Sequence, residues 1–182
     1  MRKMMTVGVI YGSTRPGRFC DRVARWVIEE IEADGAFLVE AIDPLDAALA
    51  DPDSVRSAIA RSDAFVIVTP EYNHSYPAPL KALIDGASSE WHAKPVAFVS
   101  YGGGSGGTRA VEHLRGVFAE LHAVGLRDSL SFANAWERFD AAGRLIEPER
   151  ARRTMAVVLA RLRWWAGALL VARSTMPYAE AA

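Results

Sequence analysis

One cysteine, Cys20, occurs in the 182 residues. That excludes an intrachain disulfide and any cysteine-rich metal site. The four histidines offer no ligand spacing, since the nearest pair, His113 and His122, does not share a helical face. Neither sign of charge is in excess: 21 Lys and Arg against 22 Asp and Glu leave a net charge of -1. This balance speaks against a nucleic-acid surface and against a disordered acidic tail. Long apolar runs are also lacking. The most apolar one, Trp164 to Ala172, is too short to span a bilayer, and Met1-Arg2-Lys3 leads into a strand instead of a long signal core. A chain without a membrane partner, located in the cytoplasm, is the resulting expectation. No internal repeat or interdomain linker is visible, so residues 1–182 are expected to form one domain, large enough for a proper core.

What is present is an alternation of buried strands and amphipathic helices. Val7 to Ile10, Ala64 to Thr69 and Pro95 to Ser100 are short and apolar, as strands buried on both faces are, Ala36 to Ile42 reads as a second strand, and a fifth is expected near Leu126 to Phe132. Between the first strand and the second, Cys20, Val23, Ala24, Val27, Ile28 and Ile31 recur at i, i+3, i+4, i+7 and mark one helix face. A connector rich in proline and alanine follows Asp43-Pro44, and a short helix is expected around Asp53 to Arg61. Leu80, Leu83, Ile84 and Ala87 trace a further helix; Val111, Leu114, Val117, Phe118 and Leu121 trace another. The last helix is expected to start near Pro148 and run to about Ala172, with Met155, Leu159, Leu162, Ala166 and Leu169 inward. Asn134 to Leu145 reads as a weakly patterned loop. These elements predict an α/β fold: a flavodoxin-like, doubly wound, five-stranded parallel sheet in the order 2-1-3-4-5, with helices on both faces.

That order has a chemical consequence. Strands 1, 3 and 4 become neighbours, and the loops leaving them are the unusual ones: Gly12 to Arg18, Pro70 to Pro77, and Tyr101 to Gly107. All three meet at the carboxyl edge of the sheet, where ligands of doubly wound folds bind. The first loop joins a strand to a helix N-terminus, a natural phosphate site, and adds Ser13, Thr14, Arg15 and Arg18. Gly12-x-x-x-x-Gly17 has the glycine spacing of a triphosphate loop. Arg18-Phe19 replaces the required Lys-Ser/Thr, so NTP hydrolysis is disfavoured. Cys20 lies beyond the turn on the apolar stripe, which disfavours a cysteine phosphatase. The second loop supplies Tyr72, with Tyr76 near it, and the amide of Asn73. The third exposes backbone N–H groups that let a flat ring approach. A phosphate at one end and a planar heterocycle at the other describe flavin mononucleotide, FMN, though not uniquely. Gly102-x-Gly104-x-x-Gly107, with Asp128 beyond it, also matches a dinucleotide fingerprint, and a dinucleotide bound without flavin is the competing reading. His74 is a loop histidine with no evident partner, and Lys81 and Asp85 have the spacing of an intrahelical pair.

Gly12-Ser13-Thr14-Arg15, Pro70-Glu71-Tyr72-Asn73-His74-Ser75, Leu80-Lys81 with Ile84-Asp85, and Ser100-Tyr101-Gly102-Gly103 resemble the NADPH-dependent FMN reductases, which include quinone and azo-dye reductases. The resemblance covers roughly residues 5 to 175. It implies that Ser13, Arg15 and Arg18, with backbone at Phe19 and Cys20, hold the FMN phosphate. It further implies that Pro70, Glu71, Tyr72 and Asn73 line the ring and ribityl chain, and that Ser100, Tyr101, Gly102 and Gly103 sit at the pyrimidine edge. Ala82 and Gly86 depart from the family's usual asparagine and tryptophan on the helix implicated in dimer contacts, and a homodimer or homotetramer is the implied assembly. The implied activity is ping-pong hydride transfer from NADPH or NADH to FMN and on to flavin, quinone, azo or metal-oxyanion acceptors. No side chain is required as acid or base, and the N–H groups of Gly102 and Gly103 are expected to face the ring. An FMN electron carrier serving a protein partner is the alternative, although flavodoxin carriers are usually strongly acidic.

Overall fold

The computed structural model describes residues 4–46 and 51–181. The middle of the connector expected after Asp43-Pro44 lies outside the described residues. Five strands form one parallel sheet: β1 (Met5–Tyr11), β2 (Phe37–Ile42), β3 (Ala64–Pro70), β4 (Pro95–Tyr101) and β5 (Val124–Phe132). Their order is β2-β1-β3-β4-β5, every neighbouring pair is parallel, and the expected flavodoxin-like arrangement is thus observed. β3 and β4 are buried along their whole length, because they are central and covered on both faces.

Alternate residues of each strand feed different cores. Val7, Val9, Val66, Val68, Ala97 and Val99 pack with α1 (Cys20–Asp34) and α6 (Glu149–Thr175). Phe65, Ile67, Val96 and Phe98 pack on the opposite face with α2 (Pro52–Arg61), α3 (Ala78–Asp85) and α4 (Thr108–Glu120). The second core is built around fully buried Trp91, whose ring meets Phe65 and Phe118 and whose Nε1 donates to the Ile84 carbonyl at 3.1 Å. α2 begins as its sequence demands, with Asp51 capping the N–H of Asp53 and Pro52 in the first turn. The sequence expectation counted only the uncharged run Trp164 to Ala172, but α6 as a whole is by length and composition apolar enough to cross a membrane. In this fold Met155, Val158, Leu159 and Leu162 bury its inner stripe in the first core.

Two expectations shift. α6 continues to Thr175, and the stretch read as a loop contains a short helix, α5 (Ala135–Arg138), followed by a bridge between Phe139 and Leu145. α5 is one turn long, and its start depends on Asn134 at φ 47, so no amphipathic period announces it.

Candidate functional site

The strand order sets the loops side by side along the carboxyl edge: the β1 loop, the β3 loop, the β4 loop and then α5 after β5. They enclose a cavity of about 400 Å³, lined by Arg15 to Phe19, Pro70 to Tyr72, Tyr101 to Gly103, and Ala135 with Trp136. That volume is within the range of small-ligand sites.

The β1 loop turns sharply against β3. Gly12 N–H donates to the Val68 carbonyl at 2.8 Å, and a Cβ at Gly12 would lie 2.7 Å from that oxygen, so only glycine fits. The hydroxyl of Ser13, a fully buried residue, is 2.8 Å from that of Tyr72 and ties the first loop to the second. Arg15 is exposed, and its guanidinium carbon lies 3.6 Å from the Tyr72 ring centroid. Stacking occupies the face of a guanidinium and leaves its N–H edge free. Among the described residues Arg15 makes no ion pair. α1 starts immediately after this loop with no side chain capping it, so its first N–H groups add to the positive potential.

Arg18 behaves differently. Its side chain is 7% exposed, and the guanidinium pairs with both carboxylate oxygens of Asp43, donates to Asp21 at 2.7 Å, and donates to the Ser13 carbonyl at 2.7 Å. Burial pushes the Asp43 carboxyl up, but the Arg18 hydrogen bond and the Leu45 N–H outweigh it and hold the carboxyl below its ordinary range. Arg18 therefore braces the loop. Cys20 is fully buried, with its thiol pushed up to about 11 by burial, and is a core residue.

In the β3 loop, Tyr72 and Ser75 exchange backbone hydrogen bonds at 2.8 and 3.0 Å across a tight turn with Asn73 at φ 50 and His74 at φ 69. Two consecutive left-handed residues define a type I′ turn, which Asn favours. Asn73 and His74 are exposed and outside the cavity lining, and His113 Nδ1 holds the turn through Ser75 Oγ at 3.0 Å. Glu71 reaches the other way, accepting from Arg109 Nε at 2.7 Å and Ser105 Oγ at 2.9 Å. Burial raises its pKa, but these donors outweigh it, and the carboxylate stays ionised as a clasp between the second and third loops.

The β4 loop is held by its backbone. Ser100, 1% exposed, and Ser131 both donate to the Gly106 carbonyl at 2.8 Å, so Ser100 serves the loop from beneath and does not line the cavity. Gly102 N–H donates to Phe132 O at 3.2 Å, while the Gly102 and Gly103 carbonyls accept from Ala135 and Asn134. The expectation that Gly102 N–H faces a ligand is thereby corrected: β5 takes it. Tyr101 is 5% exposed, its hydroxyl pKa raised by burial. Asp128, the acidic partner in the dinucleotide fingerprint, lies in mid-strand on β5 beside Arg115 and Glu112, away from this cavity. The residue missed in sequence is Trp136, 60% exposed at the cavity rim, whose ring would lie 3.6 Å from a Cβ at Gly103. A lone tryptophan in a polar stretch was the signal available for it.

The model of the NADPH-dependent FMN reductase family matches residues 5–137. The chain belongs to this family. It is 41% identical over 116 residues to an NAD(P)H:quinone oxidoreductase of Solanum tuberosum, covering 59% of each protein. It is 31% identical over 168 residues to a probable NADPH:quinone oxidoreductase 2 of Oryza sativa subsp. japonica, covering 81% of this chain and 82% of that protein. Several of these matches span only about three fifths of the relatives' length, as with the 59% of the potato protein. Among solved structures, the flavoenzyme NAD(P)H:(acceptor) oxidoreductase FerB of Paracoccus denitrificans superposes with a TM-score of 0.69 at 25% identity, covering 90% of this chain and 97% of that one. The family's description names FMN, and the cavity suits it chemically: a cation with free N–H edges and a helix N-terminus on one side, glycine backbone and an aromatic rim on the other.

Proposed function

We propose that this chain is an FMN-dependent NAD(P)H oxidoreductase acting on small quinone- or flavin-type acceptors. The observation that carries this reading is the single cavity shared by three loops, with Arg15 at its phosphate-attracting side and Gly103 with Trp136 at the other. Bound FMN would supply the two-electron chemistry, taking hydride from the nicotinamide and returning it to the acceptor, which gains its proton from solvent. Arg15 and the first N–H groups of α1 would hold the phosphate. Pro70, Glu71 and Tyr72 form the middle wall, and Gly103, lacking a side chain, lets a flat ring lie close. Arg18, Ser13 and Ser100 contribute by fixing loop shape, and Asn73 by setting the turn that positions Tyr72.

Membership of the family and the FerB likeness support the enzyme over an electron carrier. We also propose one domain acting in the cytoplasm as a homodimer or homotetramer. Exposed Val157, Trp164 and Val171, seven residues apart on α6, give an apolar stripe available for such assembly. Sedimentation velocity tests the assembly.

The decisive experiment is anaerobic titration of FMN-reconstituted protein with NADPH. Loss of flavin absorbance, followed by its return on adding a benzoquinone, is expected. A protein that cannot be loaded with FMN removes the proposal. Arg15→Ala is expected to weaken FMN binding by about 1.5–3 kcal/mol, the worth of a charge-assisted hydrogen bond.

A further inference from the structure

A second cavity, of about 310 Å³, is lined by the end of β5, by Arg138 of α5 and by the start of α6. Its floor is apolar and buried: Leu130, Phe132 and Ala151 are each less than a tenth exposed. Its polar wall carries Arg138, from the end of α5, and Arg150, from the first turn of α6. Neither guanidinium has an ion-pair or hydrogen-bond partner among the described residues. Two residues on from Arg150, Arg152 is paired with Glu30, and Arg144 in the segment after α5 is paired with Asp140. Two unneutralised guanidinium groups beside one cavity repel each other, and a cation in the first turn of a helix also opposes the helix dipole. An anion between them relieves both penalties, and paired arginines match phosphate geometry.

The placement decides which anion. α5 is one turn long, carries Trp136 at the rim of the FMN-type cavity and ends with Arg138 in this one. Trp136 and Arg138 stand two residues apart on this one turn, so the two cavities are lined from the same short helix.

We infer that this cavity receives a phosphate group of the nicotinamide dinucleotide donor, with Arg138 and Arg150 as its anion ligands and the apolar floor beneath its adenosine. The inference rests on the oxidoreductase reading for the identity of the ligand, but its test has an arm that needs no flavin. Adenosine 2′,5′-bisphosphate is titrated calorimetrically into the full chain, into R138Q/R150Q, and into R138K/R150K, each first checked for native circular dichroism. Wild type is expected to bind, the glutamine variant to lose at least about tenfold in affinity, and the lysine variant to recover part of it. In FMN-loaded protein the glutamine variant is expected to raise KM for the donor by at least about tenfold, with FMN affinity within twofold of wild type. A rise confined to NADPH assigns the ribose 2′-phosphate, and an equal rise for NADH assigns the pyrophosphate; both support the site. Unchanged bisphosphate affinity together with unchanged KM for both donors overturns it. Failure of every protein to take up FMN removes the oxidoreductase reading instead, while the bisphosphate titration still reports on the arginine pair.

Discussion

The loops after β1 and β4 have similar sequences, each a glycine-bearing turn leaving a buried strand for a helix, yet they are held in different ways. The first is held by a side chain. Arg18 reaches back to Asp43, Asp21 and the Ser13 carbonyl, and adds three side-chain contacts to the Gly12 and Ser13 hydrogen bonds that seat the loop. The second is held by glycine backbone seated where no Cβ fits: at Gly107 it would lie 2.8 Å from Ser100 Cβ and 2.9 Å from Tyr101 O, at φ 83. The difference shows how one site edge divides its work. A loop braced by one arginine keeps its other arginine, Arg15, free for a ligand, whereas the loop braced by backbone has already given the Gly102 N–H to β5.

The comparison can be broken at its strongest point first. Gly107→Ala is expected to cost about 3 kcal/mol, combining left-handed strain with overpacking, as read by urea denaturation. A loss under 1 kcal/mol would mean that the β4 loop is not locked by its glycines. Next, Arg18→Met is expected to cost about 2 kcal/mol at neutral pH, since it removes the partner of a partly buried carboxylate. Because the folded Asp43 pKa is depressed, the stabilisation is complete above the ordinary carboxylate range and fades as pH falls through the folded value. The gap between wild type and variant should therefore be constant near neutrality and shrink below about pH 4. A gap that persists at low pH would show that Arg18 acts by packing alone.

Smaller effects sharpen the picture. Tyr72→Phe removes the hydroxyl contact with Ser13 and is expected to cost about 0.5–1.5 kcal/mol in thermal or urea unfolding. Arg15→Ala should change stability by no more than about 0.5 kcal/mol, as for an exposed side chain without an ion pair. A clear loss of stability there would class Arg15 with Arg18 as a brace.

Sequence by itself determined the sheet. Apolar central strands separated by amphipathic helices leave few ways to bury both faces, and the order β2-β1-β3-β4-β5 then brings the three loops together. Local chemistry also showed that Gly12 marks a turn and that Cys20 belongs to the core. Tertiary structure alone decided what each polar group in those loops is used for. Arg15 and Arg18 are equivalent as residue types, but Asp43, which claims Arg18, comes from the end of β2 on the far side of α1 in sequence. Gly102 N–H is taken by Phe132 of β5, and Trp136 reaches the rim only because Asn134 adopts a left-handed turn. Hydrophobic periodicity is a local signal, so it can be read along the chain. Partnership of hydrogen-bonding groups is set by residues distant in sequence, and only folding brings them within 3 Å or so of one another.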